Sequence, residues 1–238
     1  MPLRQIRRAR AVIAFAVVLG LQMPTTIEAA DAPLDLLFAT PHLEPLPPGA
    51  TLTYGHLREA AEETGLSPGF AQRISLVAGT EEAPGVNVTM DVDGSPRQLD
   101  EFRGVPGNPL LMVFLESTVR AVNQATGGSP FYIRNRIREA LRERLTSQPM
   151  ILSQGNLRLP ARALTASPFE GDKHAAQLGA FAALELRFLF SEQAPGMLIA
   201  MIAEAGPRTD PQTGVTSGPS AEDGAHIYYE EIRLELPR

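Results

Sequence analysis

The residues best suited to chemistry in this chain are five arginines crowded into the short segment from Ser129 to Leu145. In a protein of formal net charge -6, these are Arg134, Arg136, Arg138, Arg142 and Arg144. Guanidinium groups bind carboxylates and phosphates through paired hydrogen bonds, so such a cluster suggests an anion site or a nucleic-acid contact. Whether the five side chains form one patch depends on the helix that carries them.

A helical wheel places these arginines on different faces. At about 100° per residue, one apolar arc is formed by Ile133, Ile137, Ala140, Leu141 and Leu145. Arg136 and Arg142 lie outside this arc and Arg138 lies at its margin, so we expect all three to be solvated. Arg144 falls inside the arc at the fraying end, where positive charge is favoured. The five arginines are therefore not predicted to act as one site.

Arg134 also projects from the apolar side of this helix, but in the body of the helix and not at its fraying end. An unpaired buried charge is very costly, so Arg134 needs an acidic partner. We predict a buried or half-buried ion pair that ties the helices to the sheet. The candidate partners are Asp100, Glu101, Glu116 and Glu185, and the pair we predict is Arg134 with Glu116.

Other catalytic and metal-binding patterns are weak in this sequence. The four histidines are not spaced as ligands on one helix. Asp91-x-Asp93-Gly94 resembles the start of a calcium loop, but Phe102 stands where the loop needs Glu, and a hairpin turn explains the Asp-Gly. The sequence has no Gly-x-Ser-x-Gly, no phosphate loop and no cysteine. We therefore predict no cofactor, no metal and no enzymatic activity, with a carboxylate-based hydrolase as an alternative.

The N-terminal residues follow the order of regions typical of a secretory signal. Met1–Arg10 holds four arginines, Ala11–Leu21 is continuously apolar, and small residues follow. The apolar run is much shorter than the roughly 20 residues that cross a bilayer, so we predict no stable membrane span. We assign residues 1–30 to a signal peptide and expect a periplasmic or secreted protein. Export and the acidic charge argue against a nucleic-acid partner.

The periodicity of apolar residues predicts strands on both sides of a pair of helices. Alternation is strict in Gly85–Asp93, as in a strand with one wet face, and the apolar run Met197–Ala205 predicts a strand covered on both faces. Helical periodicity predicts a hairpin of two helices at 108–145, with Gly127 ending the first. The fold class is therefore α+β, a curved antiparallel sheet of about eight strands wrapped on a central helical hairpin.

The domain organisation follows from composition. Residues 31–50 contain five prolines and predict an extended lead-in. Residues 51–238 predict a single α+β domain, because neither an internal repeat nor a second composition boundary is found. Within it, residues 206–224 form a connection longer than usual and rich in glycine, proline and serine, which predicts an exposed, mobile loop.

Several short motifs carry a resemblance to known proteins. They are Gly107-Asn108-Pro109, Phe114-Leu115-Glu116, Thr126-Gly127-Gly128-Ser129 with Tyr132, Arg134 and Arg136, and Ser191 with Ala194-Pro195-Gly196. By these residues most of the mature chain resembles an uncharacterised family of exported proteobacterial proteins. That resemblance implies export and no particular activity. The predicted architecture also resembles the half-barrel of periplasmic lipoprotein carriers, a likeness that assigns no site residues.

These observations predict a periplasmic binding or accessory protein. Its sheet and helices would enclose an apolar groove for a small apolar molecule or a lipid. Candidate lining residues are Phe114, Leu184, Phe188, Phe190, Met197, Met201 and Tyr229. The other interpretation is that these side chains fill the core. An alternative function is a structural protein of the envelope, which would dock a protein partner through residues 206–224 or the basic helix.

Overall fold

Antiparallel strands make up most of the protein. The structure is a computed structural model that describes residues 32–67, 69–80, 82, 85–92, 94–103, 106–154, 157–206 and 227–236. The strands in these residues are β1 (Thr51–Ala60), β2 (Phe70–Ala78), β3 (Val86–Val92), β4 (Ser95–Phe102), β5 (Thr146–Gln154), β6 (Leu157–Ala166), β7 (Glu185–Phe190), β8 (Leu198–Ala205) and β9 (Tyr228–Leu234). The helices are α1 (Pro33–Phe38), α2 (Leu110–Thr126), α3 (Pro130–Glu143) and α4 (Ala175–Leu178), with short 3₁₀ helices at Glu62–Thr64 and Gly179–Ala183.

The nine described strands form one open sheet in the order β4-β3-β2-β1-β9-β8-β7-β6-β5. Each strand from β1 to β4 pairs antiparallel with the next, as does each strand from β5 to β9, and β9 also pairs with β1, so β9 lies between β1 and β8. In the pairing of β1 with β9, Tyr54 lies opposite Leu234 and His56 opposite Ile232. The predicted α+β class with an antiparallel sheet is confirmed.

The strand count is nine in the described residues rather than about eight, because β4 was not predicted. Its sequence, Ser95–Phe102, includes Pro96 and several charged residues and does not alternate. Such a composition is typical of an edge strand, which needs no second partner and is protected from further pairing by charge and proline. By contrast, β8 is buried along nearly its whole length between β7 and β9, as its continuous apolar run predicts.

Helices α2 and α3 form an antiparallel pair joined by three residues. Asn108 Oδ1 accepts a hydrogen bond from the N–H of Leu110 at 3.0 Å, which fixes the start of α2. Gly127 ends α2 in the left-handed conformation (φ 67°) and donates its N–H to the carbonyl of Asn123. Because glycine has no Cβ, it adopts this conformation without strain. The core lies between these helices and the sheet, where Phe114 of α2 packs edge to face on Phe188 of β7.

The lead-in at 31–50, predicted to be extended, contains helix α1 instead. Leu36 and Leu37 of α1 are buried in the core, and proline is tolerated in the first helical turn. His42 then anchors the segment, since its Nε2 donates to the carbonyl of Leu36 (2.7 Å) and its Nδ1 accepts from the N–H of Asn108 (2.9 Å). The prolines favoured an extended prediction, but burial of two leucines stabilises the helix.

Two predicted segments fall outside the described residues. These are the signal peptide at 1–30 and nearly all of the loop at 206–224, of which residue 206 alone is described. Among the helices that are described, none is both long enough and apolar enough to cross a bilayer.

Candidate functional site

An open groove of about 470 Å³ lies between α1, α2 and α3. We call it the helical groove. Its apolar lining comes from all three helices and comprises Leu34, Phe38, Met112, Leu115, Val119, Ile137 and Leu141. Val119, Ile137 and Leu141 are almost fully buried, whereas the side chain of Met112 is 55% exposed. Cavities of roughly 300–1,000 Å³ with mainly apolar walls are typical of small-molecule sites.

The groove exists because α2 has more apolar surface than the sheet covers. Leu110, Phe114 and Thr118 of α2 are fully buried. Met112 and Leu115 lie on the flank that α1 and α3 border, and neither is fully buried. The short helix α1 supplies the second wall, and α3 supplies the third. The wide apolar arc of α2 is the sequence signal that points to such a surface.

Three arginines of α3 stand along one side of the helical groove. Arg134, Arg138 and Arg142 are spaced by four residues, which places them on one edge of the helix. Arg134 Nη2 lies 3.0 Å from Glu116 Oε2 of α2, and its guanidinium also lies over the ring of Phe131. The structure thus brings together the two residues of the predicted ion pair. The side chains of Arg134 and Glu116 are 38% and 40% exposed, and the pair joins α3 to α2 rather than to the sheet.

Arg138 and Arg142 differ from Arg134 in having no acidic partner among the described residues. Arg138 Nη1 donates to the side-chain oxygen of Asn135 at 3.3 Å, and both guanidinium-bearing side chains are exposed. Asp35 also lines the groove, from the α1 side, but forms no ion pair with either arginine. Within the described residues, the groove therefore has two arginines at its α3 edge that form no ion pair, and it is also lined by the Asp35 carboxylate.

Arg136 was predicted to be solvated, and that prediction is wrong. Its Nε lies 2.7 Å from Asp172 Oδ2, and its Nη1 lies 2.7 Å from Glu139 Oε2, with the side chain 18% exposed. The side chain of Asp172 is nearly fully buried and accepts hydrogen bonds from the Tyr132 hydroxyl and the His174 N–H. The segment that holds Asp172 covers this side of α3, and a helical wheel cannot show such a distant neighbour.

The electrostatics of Asp172 follow from these contacts. Burial raises the pKa of its carboxyl group, but the hydrogen bonds from His174 and Tyr132, together with Arg136, outweigh burial. The net pKa lies below its ordinary value, so the carboxylate is ionised. The Arg144 guanidinium is also hydrogen-bonded, since it donates to the backbone carbonyls of Pro168 and Glu170 in the same segment.

A smaller cleft of about 350 Å³ opens beside the turn between α2 and α3. It is lined by Thr126, Gly127, Gly128, Ser129, Tyr132, Ile133, His174, Gln177 and Leu178. The rings of Tyr132 and His174 meet edge to face with centroids 5.3 Å apart. The buried Asp172 holds both of these residues in place, so the cluster fastens the segment before α4 to α3.

A buried polar cluster lies beneath α2, centred on Glu230 of β9, which has no exposed surface. Glu230 accepts hydrogen bonds from His56 Nε2 (2.8 Å), Ser117 Oγ (2.7 Å) and the Tyr228 hydroxyl, and Arg58 Nη2 lies 3.5 Å away. Burial raises the pKa of Glu230, but His56 and Arg58 outweigh it, so its pKa lies below the ordinary value. The ionised carboxylate binds β1, β9 and α2 together.

This cluster was not predicted from the sequence. The sequence does contain a signal for the cluster. His56 and Arg58 are two positions apart in a strand, so both side chains lie on the same face. Neither of the two cavities described above includes these residues, and every oxygen of the Glu230 carboxylate has a partner. We therefore assign the cluster a structural role. In the described part of the chain, no three acidic or histidine side chains come together in a way that would hold a metal ion.

The predicted lining residues lie elsewhere than the helical groove. Phe114, Leu184, Phe188 and Met201 have no exposed surface and Phe190 has 2%, so these five occupy the core. Met197 and Tyr229 are partly buried, and neither lines the groove. The alternative interpretation, in which the candidate side chains fill the core, fits these five buried residues.

No protein-family model and no curated protein matches this chain. Function is therefore inferred from the groove and its arginines.

Proposed function

We propose that this protein is a non-enzymatic binding protein that holds an apolar or lipid-like small molecule in the helical groove. The observation that carries the proposal is an open groove of about 470 Å³ whose apolar walls come from three different helices. Met112, a large apolar side chain that is 55% exposed, stands at the groove. Because Met112 adjoins the other apolar side chains of the groove, it forms part of a contiguous apolar surface, and such contiguous surfaces mark binding sites where singly exposed apolar residues do not.

The expected affinity is moderate. A ligand of about 15 non-hydrogen atoms that gains roughly 0.4 kcal/mol per atom binds with about 6 kcal/mol, or a Kd in the tens of micromolar. The driving force is the removal of apolar surface from water, on the ligand and on residues such as Leu115 and Phe38. Because the groove is open on one side, we expect fast exchange rather than permanent retention.

Two further elements of the proposal concern compartment and competing functions. The N-terminal pattern supports export, so we place the binding activity in the periplasm or outside the cell. Carboxylate-based hydrolysis is less well supported, because Asp172 and Glu230 are buried and already hydrogen-bonded. Docking of an envelope protein through residues 206–224 stays a prediction, since all of that segment except residue 206 lies outside the described residues.

The groove is tested with a neutral apolar fluorescent probe such as Nile red and two matched variants. Met112→Glu places a charge at the groove, whereas Ile151→Glu places the same charge on β5, at an apolar residue of similar exposure (50% against 55%). We expect saturable binding to the wild-type protein, a loss of affinity of at least about tenfold for Met112→Glu, and no loss for Ile151→Glu. Absent saturation, or equal losses in the two variants, would refute the proposal.

A further inference from the structure

We infer that the ligand of the helical groove is a single-chain anionic amphipath, with a carboxylate or phosphate head held by Arg138 and Arg142 and its chain in the apolar groove. This inference rests on the proposed function and specifies the class of ligand. It commits to one small molecule in the groove, rather than to a lipid surface.

The first observation is the placement of charge along α3. Arg134, Arg138 and Arg142 all line the groove, and the two that have no acidic partner in the described part of the chain are about one helical turn apart. The four residues from Arg138 to Arg142 rise about 6 Å along the helix axis, a distance that two long arginine side chains easily close around one oxyanion. Arg134 already pairs with Glu116, so the head would be bound nearer the C-terminal end of α3.

The second observation is the contrast with the other arginines of the same helix. Arg136 is paired with Asp172 and Glu139, and Arg144 donates to two backbone carbonyls. Like charges spaced by four residues repel one another and destabilise a helix. Proximity to the helix C-terminus accounts for Arg142, which lies in the last turn, but it does not account for Arg138. An anion between the two guanidinium groups would remove this repulsion.

The third observation is the arrangement of charge around the groove. Asp35 lines the opposite, α1 side and would repel an anionic head. The acid belongs to α1 and the arginines belong to α3, so two of the helices that line the groove carry charges of opposite sign. A neutral or cationic ligand would gain nothing from Arg138 and Arg142, whereas an anionic amphipath fits the charge at the α3 edge and the apolar walls at once.

The test compares three ligands that share one dodecyl chain and differ in the head: dodecanoate, dodecyl phosphate and dodecanol. Each is used below the concentration at which it aggregates, and binding is measured by displacement of the neutral probe at about 20 mM and 200 mM salt. The proteins are the wild type, Arg138→Gln/Arg142→Gln, and Arg97→Gln/Arg162→Gln. The last variant removes the same charge from two exposed strand residues that lie outside the groove.

We expect the two anions to bind the wild-type protein at least about tenfold more tightly than dodecanol, and less so at high salt. Arg138→Gln/Arg142→Gln should abolish this preference without weakening dodecanol, and Arg97→Gln/Arg162→Gln should retain it. Equal binding of all three ligands by the wild type would refute the inference that the ligand is anionic. It would not contradict the proposal that the groove binds an apolar molecule. If the probe itself does not bind, the proposed function fails. If the probe binds but none of the three ligands displaces it, this inference fails alone. The same proteins are also mixed with anionic phospholipid vesicles, and binding to vesicles but to none of the three ligands would replace the inference with a membrane surface.

Discussion

The imidazole of His56 lies 2.8 Å from the carboxylate of Glu230, although 174 positions separate these residues along the chain. The side chains are 4% and 0% exposed, so this contact is made out of water. Because the Glu230 carboxylate is ionised and can only accept, the proton lies on Nε2 of His56. The pair joins β1 to β9 at the centre of the sheet, and several expected outcomes depend on it or on comparable contacts.

Glu230→Gln should destabilise the protein by about 3 kcal/mol, because Arg58 and its hydrogen-bonding neighbours would lose a buried counter-charge. Glu235→Gln is the matched control, since Glu235 pairs with Arg73 at the surface with side chains 45% and 60% exposed. Its loss should stay below about 1 kcal/mol. Urea unfolding of both variants measures these free energies. Equal losses would contradict the structural role assigned to the cluster.

The stability of the protein should fall with decreasing pH because of His42. Burial lowers the pKa of His42, although its hydrogen bond with Leu36 opposes the shift. A histidine with a lowered pKa is protonated more readily in the unfolded chain, so its contribution is complete above about pH 6.5 and declines below it, by at most about 1.4 kcal/mol per pH unit. The measurement is the free energy of unfolding between pH 7.5 and 5.5. His42→Gln should show the shallower dependence, and parallel curves for the two proteins would argue against the effect.

Arg136 and Arg138, two residues apart on α3, should differ sharply in their effect on stability. Arg136→Gln leaves the buried carboxylate of Asp172 without its cation and should cost about 2–4 kcal/mol. Arg138→Gln removes an exposed side chain without an acidic partner in the described residues, and should change stability by less than about 0.5 kcal/mol. Thermal and urea unfolding report both values. Similar losses of stability in the two variants would contradict the ion pair with Asp172 and would mean that the Arg136 side chain is solvated.

Arg134→Met should cost less than about 1 kcal/mol, because both partners of the Arg134–Glu116 pair are more than a third exposed. A double-mutant cycle with Glu116→Gln isolates the coupling between the two residues. Glu116 also lies 3.6 Å from Arg120, so some of its energy belongs to that contact. A coupling well above 1 kcal/mol would mean that solvent screens this pair less than its exposure indicates.

Local patterns in the sequence were sufficient for much of the fold. The alternation around Val88 and the apolar run at Leu198–Ala205 predict their strands, and Gly127 predicts the end of α2, because each signal is contained within one element. Strand β4 was missed since an edge strand with a proline and charged residues lacks that alternation. Helix α1 was missed because proline occurs both in extended segments and in the first turn of a helix, and the sequence alone did not distinguish the two.

The candidate site was harder to predict because its walls come from distant segments. The wheel of α2 shows that its apolar arc is wide, but not that Phe38, more than 70 positions earlier, would border Met112. The arginines of α3 show the same limit. The wheel predicts that Arg136 and Arg138 are both solvated, and the difference between them arises from Asp172, which belongs to another part of the chain. Periodicity predicts which side of a helix or strand is buried. It does not predict which residues from other segments pack against that side.

The position of β9 in the sheet has a consequence for the order of folding. Strands β1 to β4 form one series of neighbouring hairpins, and β5 to β8 form another, so each series has mostly local contacts. Tyr228–Leu234 joins the two series and pairs with a strand about 170 positions earlier, a long-range step that is expected to be slow. A chain without β9 in place would leave an open edge on both β1 and β8, with no strand to join the two series. β9 is therefore the strand through which the two halves of the sheet and the polar cluster at Glu230 are held together.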